Sequence, residues 1–342
     1  WAFLDEGAAL AQAAECDRIR IAGLATGSLH GIPVALKDII DTAKMPTQRG
    51  SVIFEGRQTD HVARLVELLR EAGAVVIGKT VTTEFAFVHA NETRNPHNPD
   101  HTPGGSSSGS AAAVAAMHVP LAIGTQTNGS VIRPASFCGV FGFKPTRGVI
   151  SRDGILQTSV SLDQVGCFGR SLADVALLTD AIGGYDQRDA VSFARPRPNM
   201  SAGAAADAPV TPALAWFDLP FNDRLSDDAL DGIDAVIEIL GPSVERMAAA
   251  DTLSDLVAVQ ATIHEYEIAQ HQAEVFETHW NQISDTLRPV ITRARTITKT
   301  QYDDALAVKT SAEGFFKAFF MDYDAIIAPS AAGEAPKFGN GT

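Results

Sequence analysis

The chain has 342 residues, 45% of them hydrophobic, enough for one large or two ordinary domains and too many apolar residues for a disordered protein. Its 27 basic and 41 acidic residues leave a formal charge of −14, which argues against a nucleic-acid-binding surface. No stretch approaches the roughly 18 consecutive apolar residues of a membrane helix, so no membrane contact is expected. Cys16, Cys138 and Cys167 are odd in number and widely spaced, the pattern of reduced thiols in the cytoplasm and not of a disulfide frame or zinc site. The chain opens at Trp1 inside a helical pattern (Leu10 to Ala14), without an initiator methionine or visible signal peptide, and stops at Thr342; a longer gene product is expected at both ends.

Gly31 to Asp38 (Gly-Ile-Pro-Val-Ala-Leu-Lys-Asp) reads as a turn followed by a short buried strand. Val62, Leu65, Val66, Leu69 and Ala72 recur at helical spacing, and Gly73 closes that helix. Ala74 to Gly78 is a β-branched run bounded by glycine, the signature of a central strand in a parallel sheet. Residues 91–105 are a polar, proline-rich loop, 107–117 a helix of small residues, and Pro120 to Gly124 another strand, with Gly139 to Phe143 continuing the core. Strand and helix signals alternate through residue 185, which predicts an α/β fold with a mixed, largely parallel central sheet covered by helices on both faces.

Composition shifts after this core of 1–185. Residues 186–225 read as an exposed excursion or linker, and 226–321 as a helical cap region of the same domain, with Ser226 capping a stripe of Leu230, Ile233, Val236, Ile237 and Leu240. Residues 322–342, with a strand at Tyr323 to Pro329, read as a return to the core. No internal repeat is evident.

Two glycine-rich turns carry the chemistry. Gly104 to Ser110 packs four serines and three glycines into seven residues just before a small apolar helix, and Gly129-Ser130 follows twenty-four positions after Ser106. Glycine-rich turns before helices leave backbone N–H groups free for an anion or a developing oxyanion. Ser130 is the candidate nucleophile, preceded by Thr127-Asn128-Gly129, a turn able to aim several N–H groups at one point; each such donor is worth roughly 3–4 kcal/mol to a transition state. The sequence lacks Gly-x-Ser-x-Gly around Ser130, which disfavours an α/β-hydrolase elbow, and no histidine sits in a recognisable motif. Lys37 is the better base. At the end of a buried strand it either pairs with an acid such as Asp38 or Asp41, or has its pKa lowered into a usable amine; local sequence leaves both open.

Three segments then resemble one family: Gly31 to Asp38, Gly104 to Ser110, and Gly124 to Pro145. In that order and spacing they are similar to the amidase signature family, along the whole chain and most strongly over 31–185. The resemblance implies a Ser–Ser–Lys triad with Ser130 as nucleophile, Ser106 as a bridging serine on a cis peptide bond, and Lys37 as base. It implies an oxyanion hole from the N–H groups of Thr127, Asn128, Gly129 and Ser130, supporting roles for Ser108 and Arg133, and further core strands beyond residue 342. Two departures stand out. Asn128 occupies a position where many members have glycine, and Arg133 lies three residues after the nucleophile where many members have it two after.

The expected activity is hydrolysis of a C–N bond, in an amide, carbamate (urethane) or ester-like small molecule, through an acyl-enzyme, with no metal and no organic cofactor, in a cytoplasmic protein with a homodimer as the candidate assembly. The alternative within the same family is the glutamine-hydrolysing subunit of a tRNA-dependent amidotransferase; a binding module without catalysis is the alternative from another class. Cys138 and Cys167 are expected as buried packing, Asp163 and Arg170 as structural, Phe315, Phe316, Phe319 and Phe320 as core or pocket wall, and His264, His271 and His279 as surface or interhelical residues.

Overall fold

The computed structural model describes residues 1–219 and 222–339. In chain order it begins β1 (Phe3–Leu4), α1 (Glu6–Ile21), β2 (Pro33–Lys37), α2 (Arg64–Glu71), β3 (Val75–Thr80), α3 (Ser108–Ala115), β4 (Leu121–Gln126), α4 (Ile132–Phe137), β5 (Phe141–Phe143), β6 (Gln164–Gly169), α5 (Leu172–Ile182) and α6 (Met200–Ala205). Six strands form one sheet in the order β1-β3-β2-β4-β6-β5. β2 runs parallel to both β3 and β4, while β1 and β6 run antiparallel to their neighbours. The predicted mixed sheet is therefore present, with β2 at its centre.

Alternation along the strands sorts the layers. Ala35, Ala122 and Phe168 face one side and pack with Ala111, Ala113 and Val114 of α3 and Ala135 of α4. Cys167, on the opposite side of β6 from Phe168, meets Thr179 of α5. Helices thus cover both faces. The small residues of α3 matter here, because they let its backbone approach the strand ends closely.

The chain divides into two compact units, Trp1–Ala205 with His271–Pro289 and Ala335–Thr342, and Ala206–Gln270 with Val290–Glu334. The second holds β7 (Leu214–Asp218), α7 (Asp227–Leu240), β8 (Val244–Ala248) and most of α8 (Leu256–His271); α9 (Ala273–Thr278) belongs to the first, and α10 (Arg288–Ala294), α11 (Lys299–Phe319) and β9 (Ala325–Ile327) follow. This corrects three expectations. The excursion 186–225 contains a helix and a buried strand, β7, apart from residues 220–221, which lie outside the described residues. The region 226–321 is not all helical, since β8 pairs in parallel with β7. The strand expected near residue 325 exists, but β9 pairs with β7 in a separate three-stranded parallel sheet, not with the central one. Only the tail rejoins the first unit, where Thr102 N–H donates to Pro336 O and Phe338 N–H to Asp100 O; residues 340–342 lie outside the described residues.

Ser226 caps α7 as its sequence predicts, accepting from Ala229 N–H. Phe319 packs with Phe217 and Leu253 in the core of the second unit, while Phe320 is exposed.

Candidate active site

Lys37 closes β2 and is fully buried. Its Nζ lies 2.7 Å from Ser106 Oγ and 2.9 Å from Thr125 Oγ1, and no carboxylate pairs with it among the described residues. Burial without an ion pair disfavours the ammonium, so its pKa falls to about 7; Asp163 opposes the shift but does not cancel it. Of the two roles the sequence leaves open for Lys37, the ion pair is therefore absent.

Ser106 follows a cis peptide bond from Gly105. Its carbonyl accepts from Thr83 N–H and Thr82 Oγ1, while Ser107 Oγ, one residue on, donates to Thr125 O. These bonds fasten the serine-rich turn to the ends of β3 and β4. Ser108 Oγ makes only a long 3.5 Å contact with Ser106 O.

Ser130 is buried at the turn leading into α4. Gln126 Oε1 accepts from the N–H groups of both Val131 and Ile132, which consumes the first donors of that helix. The preceding N–H groups of Asn128, Gly129 and Ser130 have no protein acceptor among the described residues. Gly129 has φ +111°, and a Cβ there would lie 3.2 Å from Arg133 Nη1. The left-handed demand of this turn thus falls on Gly129 and not on Asn128, whose side chain is exposed.

Arg133 Nη2 donates to Gly105 O at 2.8 Å, and a Cβ on Gly104 would lie 2.9 Å from Pro134 Cα. The Ser130 turn and the Ser106 peptide are therefore packed side by side. Even so, Ser130 Oγ makes no hydrogen bond to Ser106 or Lys37 here, so the implied relay is joined at its first link only.

Sequence reasoning passed over Thr125, Gln126 and the functional side of Asp163. Asp163 accepts from Thr127 Oγ1 at 2.5 Å, Thr158 Oγ1 at 3.0 Å, and the N–H groups of Thr158 and Ser159 at 2.7 and 2.9 Å. It anchors the turn before Ser130. Burial pushes its carboxyl above the usual range, against those bonds. The only sequence signal was proximity to the third motif. Arg170 is structural, donating to Val119 O. Cys138 and Cys167 are buried, with thiols pushed up to about 12 by desolvation, which rules out a thiolate role. Of the two settings expected for His264, the surface is excluded: it is buried on α8 of the second unit, and desolvation lowers its pKa to about 4.

Among the described residues no cluster of three His, Cys, Asp or Glu could hold a metal, and no helix is long and apolar enough to cross a membrane.

A family model described as Amidase matches residues 1–342. The chain belongs to the amidase signature family. A glutamyl-tRNA(Gln) amidotransferase A-type subunit from Acidothermus cellulolyticus is 47% identical over 208 residues, covering 59% of this chain and 41% of that one, so this member spans about two fifths of that relative's length where they align. The protein of the same name from Agathobacter rectalis is 33% identical over 372 residues, covering 98% of this chain and 73% of that one. A solved structure described as an unexpected vestigial protein complex revealing the evolutionary origins of an s-triazine catabolic enzyme has a TM-score of 0.92 at 30% identity, over 99% of this amidase-family chain and 75% of its own.

Proposed function

We propose that this amidase-family chain is a serine amidohydrolase that cleaves C–N bonds of small amides, with carbamates and esters in its chemical range. The observation that carries the reading is the Lys37–Ser106 contact of 2.7 Å in a fully buried site that brings the amine to about pKa 7. A free amine near neutral pH, hydrogen-bonded to the hydroxyls of Ser106 and Thr125, is a general base with the driving force the task needs.

In this reading neutral Lys37 accepts the Ser106 proton as Ser106 accepts that of Ser130. The Ser106–Ser130 bond closes when substrate fills the site; catalytic hydrogen bonds often tighten only then. Ser130 Oγ attacks the carbonyl carbon, and the oxyanion takes the free N–H groups of Asn128, Gly129 and Ser130, with that of Thr127 beside them. The proton returns through Ser106 to the leaving nitrogen, the C–N bond breaks, and water hydrolyses the Ser130 ester by the same relay. Arg133 holds the Ser106 peptide against the Ser130 turn. The three unpaired cysteines support a cytoplasmic setting, with a homodimer as the working assembly.

A second reading is a glutaminase subunit of a tRNA-dependent amidotransferase, favoured by the name of the Agathobacter rectalis relative. Glutamine hydrolysis that depends on a co-purifying partner would select it; hydrolysis of simple amides by the isolated chain selects the first.

The test is a fluorophosphonate probe read by mass spectrometry. The adduct is expected on Ser130 and lost in Ser130→Ala with the circular dichroism spectrum unchanged. An adduct elsewhere, or none on the folded wild-type chain, overturns the assignment.

A further inference from the structure

Neutral Lys37 has one lone pair and faces two hydroxyls. Ser106 Oγ lies 2.7 Å from its Nζ and Thr125 Oγ1 2.9 Å. A hydroxyl carries one hydrogen and also accepts, so each of them is able to donate to that lone pair, and only one can do so at a time. If Thr125 donates, the lone pair is occupied and Ser106 keeps its proton. The direction of the Thr125 hydrogen therefore decides whether the amine can act as a base.

Thr125 cannot turn away from Lys37. Its N–H donates to Ser107 Oγ at 3.3 Å, its carbonyl accepts from the same hydroxyl at 3.1 Å, and it pairs with Val165 across β4 and β6. Among the described residues its hydroxyl hydrogen has no acceptor other than Nζ. Thr125 does line a narrow cavity together with Thr127 and Asp163, with apolar walls that include Ile39, Leu156 and Val165. The centre of a water-sized sphere has about 10 Å³ to move in there, room for a single water.

At Asp163 the hydrogen direction is fixed. Thr127 Oγ1 donates to Asp163 Oδ1 at 2.5 Å, and Thr158 Oγ1 with the N–H groups of Thr158 and Ser159 fills the rest of the carboxylate. Held ionised by four donors, that group can only accept. Thr127 thus spends its hydrogen on Asp163 and keeps a lone pair. Arg152 also lines the cavity, but its side-chain N–H groups are committed to Asp189, Val160 O and Asp163 O. The Asp163 charge is felt at Lys37, where it favours the ammonium.

We propose that this cavity binds one water, which accepts the Thr125 hydrogen and donates to Thr127 Oγ1. The result is a one-way chain: Lys37 N–H to Thr125, Thr125 O–H to water, water to Thr127, and Thr127 O–H to Asp163. Each link polarises the next, and the carboxylate at the end sets the direction of them all. The chain leaves the Lys37 lone pair to the Ser106 hydrogen, and Thr125 is a positioning residue that acts through Lys37. That consequence rests on the amidohydrolase reading; the water site does not.

The first test is a crystal structure of the intact chain at atomic resolution. A water is expected within hydrogen-bond distance of both Thr125 Oγ1 and Thr127 Oγ1. An empty cavity, or a water that misses Thr125, overturns the proposal. The second test follows fluorophosphonate labelling of Ser130 from pH 5 to 9 in wild type, Thr125→Val and Thr125→Ser. Thr125→Val keeps the shape and removes the acceptor. It is expected to lower the limiting rate at saturating probe at least tenfold with probe affinity unchanged. Because the ammonium loses an acceptor, the acid limb of its profile should also move to lower pH than in wild type. Thr125→Ser keeps the hydroxyl and is expected to stay within threefold of wild type with the limb unmoved. Wild-type labelling in Thr125→Val, or a Thr125→Ser chain as slow as Thr125→Val, overturns the role of Thr125. The crystal structure needs no variant, so a Thr125→Val chain that fails to fold leaves the water site open to refutation. A water in this position in a chain that takes no label at Ser130 would sink the amidohydrolase reading and leave the water site standing.

Discussion

Arg133 and Gly105 are joined by a hydrogen bond of 2.8 Å, from the guanidinium of α4 to the carbonyl just before Ser106. The residue three positions after the candidate nucleophile thus grips the peptide that carries its candidate partner. Arg133→Lys keeps a charge but cannot present the same planar donor. It is expected to lose about 1–3 kcal/mol of this restraint and to slow fluorophosphonate labelling at least tenfold while leaving the melting temperature within a few degrees. Labelling at the wild-type rate would show that the bond does not position Ser130.

Lys37 sets the pH dependence. Desolvation takes its pKa down to about 7, so the amine is free above that value, and kcat/KM should rise through pH 7 to a plateau. Lys37→Ala should cost on the order of 10³–10⁵ in kcat. The same shift has a stability consequence. Between about pH 7 and 10.5 the unfolded chain binds the proton that the folded chain does not, so this group's contribution grows with pH and is lost as pH falls through 7. Lys37→Met removes the penalty. Its stabilisation relative to wild type should be larger at pH 7 than at pH 10 by roughly 3–4 kcal/mol, measured by urea denaturation; equal gains at both values would mean that the amine is not desolvated.

Asp163 influences Lys37 through space and the Ser130 turn through Thr127. Its negative charge raises the Lys37 pKa, so Asp163→Asn should move the acid limb of the rate profile below pH 7. It should also lower kcat tenfold or more by loosening the turn. An unmoved limb would separate Asp163 from the base electrostatically.

Arg152 and Asp189 form an ion pair in which both side chains are at most 3% exposed. Burial alone would raise the Asp189 pKa, but the Arg152 bonds prevail and hold it below the usual range. Asp189→Ala strands a buried guanidinium and is expected to cost about 3–5 kcal/mol at pH 7. The deficit should shrink as pH falls below 4, where wild type also loses its carboxylate. Thermal melts from pH 3 to 7 check this.

The central sheet was legible because its strands announce themselves. Val34-Ala35-Leu36, opened by Pro33, and Val75-Val76-Ile77, between Gly73 and Gly78, are short apolar runs, and such runs have few alternatives to a buried strand. β7 was not, because Leu214 to Asp218 is five residues in a proline- and alanine-rich stretch whose parallel partners lie 30 and about 110 positions away. At the site, Lys37, Ser106 and Ser130 were named from motif chemistry, and the contact of the first two is a matter of three-dimensional packing. Thr125 and Gln126 escaped notice because threonine and glutamine carry no distinctive chemistry until a neighbour is specified. Asp163 escaped for a related reason: its value lies in four donors that converge from two loops.

Lys79 sits on the strand beside Lys37, in register with Leu36, and is equally sealed from solvent. Its Nζ meets Ile40 O, Pro46 O and Thr47 Oγ1 at 2.7 to 3.1 Å. Two of those oxygens cannot give up a hydrogen, so they favour the ammonium, whereas Lys37 has only hydroxyls for company. Desolvation leaves Lys79 near pKa 8, above Lys37. The fold has thus turned two identical side chains into a cross-link for the 40–47 loop and an idle lone pair. A small electrophile such as cyanate, admitted at neutral pH, would carbamoylate Lys37 ahead of its neighbour.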